Sequence, residues 1–264
     1  MNGLIGLLIE RLDEAVRAGT DVIPWSCPVP AFGDPGKSSV ATLGLNPSNR
    51  EFVDEKGNEL EGAARRFETL RSLGIARWSD AGEKQVNLVF DACRNYFNKN
   101  PYDSWFRRLD GIISGTRASY YQFETTACHL DLIPFATARK WSELSNTQRR
   151  TLLDIASDTL GLVLRDSPIR LLVLNGRSVV ERFQTASAIQ LKRQSMPAWA
   201  LPRKSEEVAG YAYWATISTL SGVSLGRDVA VLGFNHNIQS SFGVTSEVVA
   251  TIRNWIAWFS RGNI

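Results

Sequence analysis

The side chains best suited to chemistry in this sequence follow short apolar runs, at the points where those runs end. Asn46 follows one such run, and the two histidines of the chain, His129 and His236, lie at the ends of two others. An asparagine is not basic, but its side-chain oxygen can orient a water molecule. A neutral histidine can donate a hydrogen bond to negative charge that develops during a reaction. These residue types predict a ligand site at the ends of strands.

Asn46 stands immediately before a proline, within residues 40–48. The apolar run that precedes it alternates β-branched and small residues, which is typical of a buried strand. Pro47 removes a backbone donor and fixes φ, so the strand must stop there. Open α/β sheets bind ligands at the carboxyl ends of their strands. The alternative is an ordinary turn from a strand into a loop.

Short apolar segments alternate with amphipathic helical segments along the chain. This pattern predicts an α/β fold of three layers (α/β/α), with a central, mostly parallel sheet of four or five strands. We expect one domain over residues 1–264, with an N-terminal helix over 3–19 packed on it. The predicted strands cover residues 40–45, 123–132, 169–174 and 228–234, with an edge strand or hairpin at 211–218 and a loop at 186–209. Further helices are predicted near 62–73, 83–97, 103–114, 145–164 and 245–260. The four polar turns at 46, 131–134, 175 and 235 should meet at one edge of the sheet.

Composition narrows the class of protein. The chain is 44% hydrophobic, with a net charge of +3 and a pI of about 8.8, which is compatible with nucleic-acid binding without requiring it. Cys27, Cys93 and Cys128 have no pairing or CxxC spacing, which indicates a reducing cytoplasm and argues against disulfides or zinc. No apolar run is long enough to span a membrane. We expect a cytoplasmic monomer without a metal or cofactor.

Residues 33–38 superficially resemble a phosphate-binding loop. That motif requires a glycine at the position of Ala31, and it must follow a strand and open a helix. Here the segment precedes a strand. The sequence therefore disfavours a P-loop nucleotide hydrolase.

Four segments together resemble the uracil-DNA glycosylase superfamily. The Gly-Leu-Asn-Pro-Ser sequence of residues 44–48 resembles the first motif in its Asn-bearing form. Residues 232–241 resemble the second motif, in which a histidine at a strand end precedes a short loop. Residues 129–134 resemble the strand that reads the flipped base, and residues 175–177 resemble the backbone-binding turn. Their order and spacing match over residues 22–260.

The resemblance implies an enzyme that flips a nucleotide out of duplex or single-stranded DNA and hydrolyses its N-glycosidic bond without a metal, leaving an abasic site. Asn46 would orient the attacking water, and His236 would stabilise the departing base through its oxygen O2. The chain lacks the four cysteines that hold an iron–sulfur cluster in some members.

The resemblance also implies a wider set of contact residues. Substrate-binding candidates are Pro47, Ser48, Phe52, His129 and Asp131; DNA-binding candidates are Arg50, Asn175, Arg177, Ser178, Asn237, Ile238, Gln239 and Ser240. Phe52 would be the aromatic floor under the base, and the alternative is a core phenylalanine. Ile238, Gln239 and Phe242 are candidates for a wedge that fills the vacated stack, and the alternative is an ordinary loop. The basic segments 139–150 and 192–204 would flank the groove unless they are simply solvated surface.

Two departures from the family pattern bear on the substrate. Most relatives have Asn where this chain has Asp131, and prolines where it has residues 237–239. An ionised aspartate only accepts hydrogen bonds, so it suits the N4 amine of cytosine and opposes the O4 of uracil. We expect a cytosine-type base, including the hypermodified (glucosylated hydroxymethyl) cytosines of phage DNA that one branch removes in antiviral defence. The alternatives are a uracil or thymine mismatch repair glycosylase and a non-catalytic DNA-binding module of the same fold.

Overall fold

A computed structural model describes residues 2–122, 126–202, 207–239 and 243–263 of the chain. Its strands are β1 (Val40–Gly44), β2 (Ala127–Asp131), β3 (Leu171–Asn175), β4 (Lys192–Ser195), β5 (Tyr211–Leu220) and β6 (Val223–Phe234). They form one sheet in the order β2-β1-β3-β6-β5-β4. The first four strands in this order are parallel to one another. β5 pairs antiparallel with β6 on one side and with β4 on the other. The predicted α/β fold with a mostly parallel sheet is confirmed, with six strands instead of four or five.

The extra strand lies in the segment predicted to be a loop. All four residues of β4 are exposed, so no alternation of buried and exposed side chains marks it as a strand in the sequence. β5 pairs with β4 on one side and with β6 on the other, and the turn at Ser221 and Gly222 joins β5 to β6. The hairpin prediction is therefore confirmed, and β5 is an inner strand, not an edge strand.

The helices are α1 (Asn2–Arg17), α2 (Leu70–Leu73), α3 (Glu83–Arg94), α4 (Asp103–Ile113), α5 (Asn146–Ile155), α6 (Thr159–Arg165), α7 (Arg177–Ser187) and α8 (Ser246–Asn263). Ser145 and Gln148 form the predicted capping box at the start of α5. The single helix predicted over 145–164 is divided into α5 and α6, where Arg11 of α1 binds Asp158 at 2.6 Å. The helix predicted over 62–73 is wrong except for α2, because the chain is extended at Thr69 and pairs there with Ser26.

Helices cover both faces of the sheet. Every residue of β1, β2 and β3 is buried. Because successive side chains of a strand point to opposite faces, this burial requires a layer on each side. α7 packs on β3 and β6, while α8 packs on β6 and α4. These layers leave the strand ends as the place where a ligand can reach the sheet.

The register of the parallel strands brings polar residues together at the carboxyl edge. Gly44 pairs with Asp131, and Thr42 pairs with His129. Asn175 at the end of β3 pairs with Phe234 at the end of β6. The four polar turns therefore lie along one edge, as the sequence predicts. None of the helices in the described ranges has the length and apolar composition needed to cross a bilayer.

Candidate active site

A cavity of about 180 Å³ lies at the carboxyl ends of β1 and β2. We call it the strand-end cavity. It is lined by Phe32, Gly44, Leu45, Asn46, Pro47, Ser48, Glu51, Tyr102, Trp105, Phe106, His129 and Asp131. Five of the predicted site residues are in this wall: Asn46, Pro47, Ser48, His129 and Asp131. The turn at Pro47 places the first three, because the chain turns directly from β1 into the wall, and the parallel pairing of β2 with β1 places His129 and Asp131.

The side-chain amide of Asn46 has one defined orientation. Its Nδ2 donates to Thr137 Oγ1 at 3.0 Å and to the Pro47 carbonyl oxygen at 3.1 Å. A carbonyl oxygen can only accept, so the amide nitrogen must be the atom that faces it. Within the described ranges no protein donor binds Oδ1 of Asn46. The oxygen is thus available to a ligand or a water molecule.

His129 and Asp131 lie on one face of β2 with their side chains almost fully buried. His129 Nε2 is 3.4 Å from Asp131 Oδ1, and His129 Nδ1 is 2.7 Å from Thr42 Oγ1. Thr42 Oγ1 in turn lies 2.5 Å from the hydroxyl of Tyr120. The aspartate is therefore held through the histidine by a chain of hydroxyl groups that reaches into the core.

Gly44 provides the space for this pair. A Cβ at Gly44 would collide with the carboxylate of Asp131 and lie 3.0 Å from His129 Nε2. The backbone of Gly44 does not need a left-handed conformation. The glycine in the Gly-Leu-Asn-Pro-Ser sequence is thus required by the close approach of the β2 side chains.

Glu51 is a cavity residue that the sequence reasoning missed. It is the last residue of a single 3₁₀ turn that Ser48 caps, and its side chain is 4% exposed. Its Oε2 accepts a hydrogen bond from the hydroxyl of Tyr96 at 2.8 Å and lies 3.8 Å from Arg66 Nε. Burial raises the pKa of Glu51 to about 7, the charge of Asp131 adds to the rise, and Tyr96 and Arg66 oppose it. The cavity therefore contains two carboxyl groups in different environments.

The aromatic wall of the cavity is not the one predicted. Phe52 is 1% exposed and packs against Trp25 and Phe67, so it is a core residue outside the cavity wall. The cavity is instead lined by Phe32, Tyr102, Trp105 and Phe106. Trp105 is the partly buried indole among them, with its centroid 5.0 Å from that of His129. Trp105 is therefore the better candidate for stacking on a planar ligand.

His236 lies outside the strand-end cavity. It is 2% exposed, and its Nε2 is 2.7 Å from the carbonyl oxygen of Trp199. The carbonyl can only accept, so Nε2 carries the proton and donates it to the backbone. His236, which the sequence predicts as the donor to the base oxygen O2, thus connects the end of β6 to the segment before β5 by a hydrogen bond. The difference from the prediction rests on this one tertiary contact between His236 and the backbone of residue 199.

A wider cleft of about 610 Å³ lies beside the cavity and shares Gly44, Leu45, Asn46 and Trp105 with it. We call it the neighbouring cleft. Asn175, Arg177, Ser178 and Asn237, four of the predicted DNA contacts, line it together with Lys140, Trp141, Ser142, Gly176, Val179 and Asn235. Arg177 begins the 11-residue helix α7, and its exposed guanidinium binds Glu181 at 2.6 Å. Asn46 thus stands where the cavity meets a cleft with two exposed cations.

Three other predicted DNA contacts, which the structure describes, do not line the cleft. Ile238 is 3% exposed, so it is packed inside the protein and is not a projecting wedge. Gln239 accepts a hydrogen bond from Asn175 Nδ2 at 2.8 Å. Arg50 donates to the carbonyl oxygen of Asp54 at 2.5 Å and lines neither the cavity nor the cleft. Ser240 and the wedge candidate Phe242 lie outside the described residues.

The sequence held weak signals for the residues that reasoning missed. Glu51 lies five positions after Asn46, on the turn that leaves β1, where an acidic residue resembles ordinary solvated surface. Trp105 and Phe106 are adjacent on α4, so the helical period cannot place both side chains on one core face. Phe32 pairs with His129 through backbone hydrogen bonds, a contact between residues far apart in the chain.

A scan of protein-family models and a search of curated proteins found nothing that matches this sequence. In the described part of the chain, no group of three or more His, Cys, Asp or Glu side chains could hold a metal ion. The three cysteines are buried and unpaired.

Proposed function

We propose that this protein is a DNA glycosylase of the uracil-DNA glycosylase superfamily that removes a cytosine-type base. One observation carries the proposal. Asn46, with its amide oxygen available, stands at the junction of a partly aromatic cavity and a cleft lined by Lys140 and Arg177. A flipped base fits the first environment and a sugar–phosphate backbone fits the second.

The roles of the side chains follow from this placement. The base enters the strand-end cavity and stacks on Trp105, while its edge meets Asp131. Phosphates lie in the neighbouring cleft beside Lys140, Arg177 and the N-terminus of α7, which favours anions. Asn46 Oδ1 orients the water that attacks C1′ of the sugar.

Asp131 supports the preference for cytosine over uracil. Its carboxylate is buried in the cavity wall and held by His129. Ionised, it accepts the N4 amine of cytosine but repels the O4 oxygen of uracil. Leaving such a buried group unpaired costs about 1–3 kcal/mol. A substituent on C5 of the cytosine, such as a glucosylated hydroxymethyl group, would have to project out of the cavity through its open mouth.

A base-release assay tests the proposal. Matched oligonucleotides carry one cytosine, 5-hydroxymethylcytosine, glucosylated 5-hydroxymethylcytosine or uracil, each as single strand and duplex. A further duplex carries one G·T mismatch. Alkali-labile strand breaks measure the abasic site, and mass spectrometry identifies the released base. We expect release of a cytosine-type base. Release of only uracil or mismatched thymine would replace the substrate assignment with that of a repair glycosylase.

Binding measurements separate the enzyme from a binding module. A module of the same fold would bind these oligonucleotides with an affinity that falls as salt rises, and would release no base from any of them. Such a result would refute the glycosylase proposal.

The cellular role in antiviral defence has its own test. Bacteria that express the protein would be infected with a phage whose DNA contains glucosylated hydroxymethylcytosine and with an isogenic phage that contains unmodified cytosine. We expect lower plaque numbers for the first phage only, and recovery of plaques with Asn46→Ala. Equal plaque numbers for both phages would argue against this role.

A further inference from the structure

Glu51 is an ionisable side chain at the proposed ligand site to which the roles of Asn46 and Asp131 assign nothing. It lies in the wall of the strand-end cavity with Asn46 and Asp131. Its side chain is 4% exposed, so the protein has brought an ionisable group out of solvent at the ligand site. Acidic side chains are rarely buried this way unless they are paired or functional.

Hydrogen-bond directions show which oxygen of Glu51 can carry a proton. The backbone N–H of Tyr102 donates to the hydroxyl of Tyr96 at 2.9 Å. The hydroxyl proton of Tyr96 is therefore directed to Glu51 Oε2, at 2.8 Å. Arg66 Nε approaches the same oxygen at 3.8 Å. Oε2 is an acceptor in both protonation states, so a proton on Glu51 resides on Oε1.

Oε1 is the oxygen left for a ligand. Among the described residues, no side chain or backbone group forms a hydrogen bond with it. A neutral Glu51 would thus present an O–H donor, and an ionised Glu51 would present an acceptor. The titratable and charged groups around it are Arg66, Tyr96, Tyr102, His129 and Asp131. Burial first, and then the charge of Asp131, raise the pKa of Glu51 to about 7.

The proposed reaction needs such a donor. A cytosine-type base leaves as an anion unless it receives a proton, and a general acid with a pKa near the working pH is most effective. His236 is not in the cavity wall and donates its Nε2 proton to the Trp199 carbonyl. Asp131 is the acceptor for the N4 amine. Of the two carboxyl groups in the cavity wall, Glu51 is therefore the one left to act as a donor.

We infer that Glu51 is the general acid of the reaction, delivering the proton on Oε1 to the departing base. This inference rests on the proposed glycosylase function. The bond between C1′ and the base nitrogen breaks, and its electron pair moves onto the base, which takes the proton from Glu51. The water oriented by Asn46 forms the new bond to C1′ and releases a proton to solvent. Solvent then returns a proton to the Glu51 carboxylate.

The pH dependence of single-turnover base release tests this role. The oligonucleotide would be the one from the cytosine series that the wild-type protein cleaves fastest. Because the neutral form is the acid, the wild-type rate should fall as the pH rises through about 7. Glu51→Gln cannot donate this proton, so its rate should be about 100-fold lower at low pH, and the limb near pH 7 should be absent. Affinity for an oligonucleotide with a tetrahydrofuran abasic site should be unchanged.

Glu68→Gln is the matched control. Glu68 is also buried, accepts a hydrogen bond from Ser72 at 2.5 Å and lies 3.6 Å from Arg65, but it does not line the cavity. We expect Glu68→Gln to release the base at the wild-type rate and to show the same fall in rate near pH 7. The fluorine of 5-fluorocytosine stabilises the leaving anion. The Glu51→Gln substitution should therefore lower the rate of base release less for an oligonucleotide with 5-fluorocytosine than for the same oligonucleotide with cytosine.

The outcomes separate the two proposals. If the wild type released a base and Glu51→Gln kept the same rate and the same fall in rate near pH 7, the general-acid role would be overturned. The proposed glycosylase function would then remain. A wild-type rate that rises through pH 7 and loses that rise in Glu51→Gln would make Glu51 a base, which also overturns the inference. Absence of base release by the wild type from every oligonucleotide would overturn both.

Discussion

The two halves of the carboxyl edge of the sheet look alike in the sequence and differ in the structure. At the ends of β1 and β2, Asn46 and Asp131 face a cavity and keep oxygen atoms available. At the end of β6, Asn235 accepts from the backbone N–H of Tyr211 and donates to the carbonyl oxygen of Ala209, both at 2.8 Å. His236 similarly donates to the backbone. Asn46 and Asp131 thus line a cavity, whereas Asn235 and His236 bind backbone groups of the segment before β5.

The difference arises from what covers each strand end. β5 and the segment that precedes it bring backbone groups to the end of β6, among them the N–H of Tyr211 and the carbonyl oxygen of Ala209. The ends of β1 and β2 meet α4 and the turn at Glu51, which contribute mainly side chains. A polar residue after a buried strand can therefore bind a ligand only through the atoms that other segments leave without a partner. Substitutions at both ends of this edge test the comparison.

Asn46→Ala should have the largest effect on activity. It removes the oxygen that orients the water, so single-turnover base release should fall by roughly 100-fold or more. Asn49→Ala is the matched control, because Asn49 also donates to a backbone carbonyl, that of Ala138 at 3.0 Å, but does not line the cavity. Full activity in Asn46→Ala would mean that the cavity half of the edge is not catalytic.

Asp131→Asn should change which base is removed. The amide offers a donor as well as an acceptor, so removal of the cytosine-type base should slow by roughly 10-fold and activity on uracil should appear or rise. The measurement is both rates, wild type against variant, on oligonucleotides that differ only in the target base. An unchanged preference would show that Asp131 does not read the base.

His236→Ala should affect stability more than catalysis. It leaves the carbonyl oxygen of Trp199 without its buried donor, which should lower the free energy of unfolding by about 1–3 kcal/mol. The single-turnover rate of the folded variant should stay within a few-fold of wild type. His129→Ala is the counterpart on the cavity side and should lower the rate, because His129 holds Asp131. If His236→Ala selectively abolished the chemical step, the distinction between the two halves would fail.

Tyr96→Phe should have the smallest effect, a shift of the pH profile. The hydroxyl of Tyr96 lowers the pKa of Glu51, so its removal should raise that pKa and move the falling limb to higher pH. The neutral acid then persists further above pH 7. Tyr121→Phe removes a hydroxyl bound to Asp103 outside the cavity and should leave the limb in place. If the fall in rate stayed at the same pH in Tyr96→Phe, it would not report the ionisation of Glu51.

Linkage gives the same carboxyl group an effect on stability. Its pKa is higher in the folded protein, about 7, than the ordinary glutamate value of 4.5 that applies to the unfolded chain. Its contribution to stability is therefore complete below the lower value and is lost as the pH rises through about 7. The midpoint of thermal unfolding should fall over this range more in wild type than in Glu51→Gln.

Local sequence determined the parallel strands and the turn that leaves β1. The apolar runs of β1, β3 and β6 are long enough to show burial, and Pro47 ends β1 whatever surrounds it. Parallel pairing then requires the strand ends to share an edge, so Asn46, His129 and Asp131 could be placed together from the sequence. The capping box at Ser145 is local for the same reason: all its partners lie within one turn of helix.

Only the tertiary structure decided which polar residues at that edge are free to bind a ligand. Asn46 and His236 carry the same kind of sequence signal, yet a carbonyl from residue 199 occupies the histidine while the oxygen of the asparagine stays available. Glu51 becomes a buried acid because Tyr96 and Arg66, distant in the chain, close around it. Hydrogen-bond satisfaction and desolvation depend on neighbours from other elements, and a single sequence does not state which elements those are.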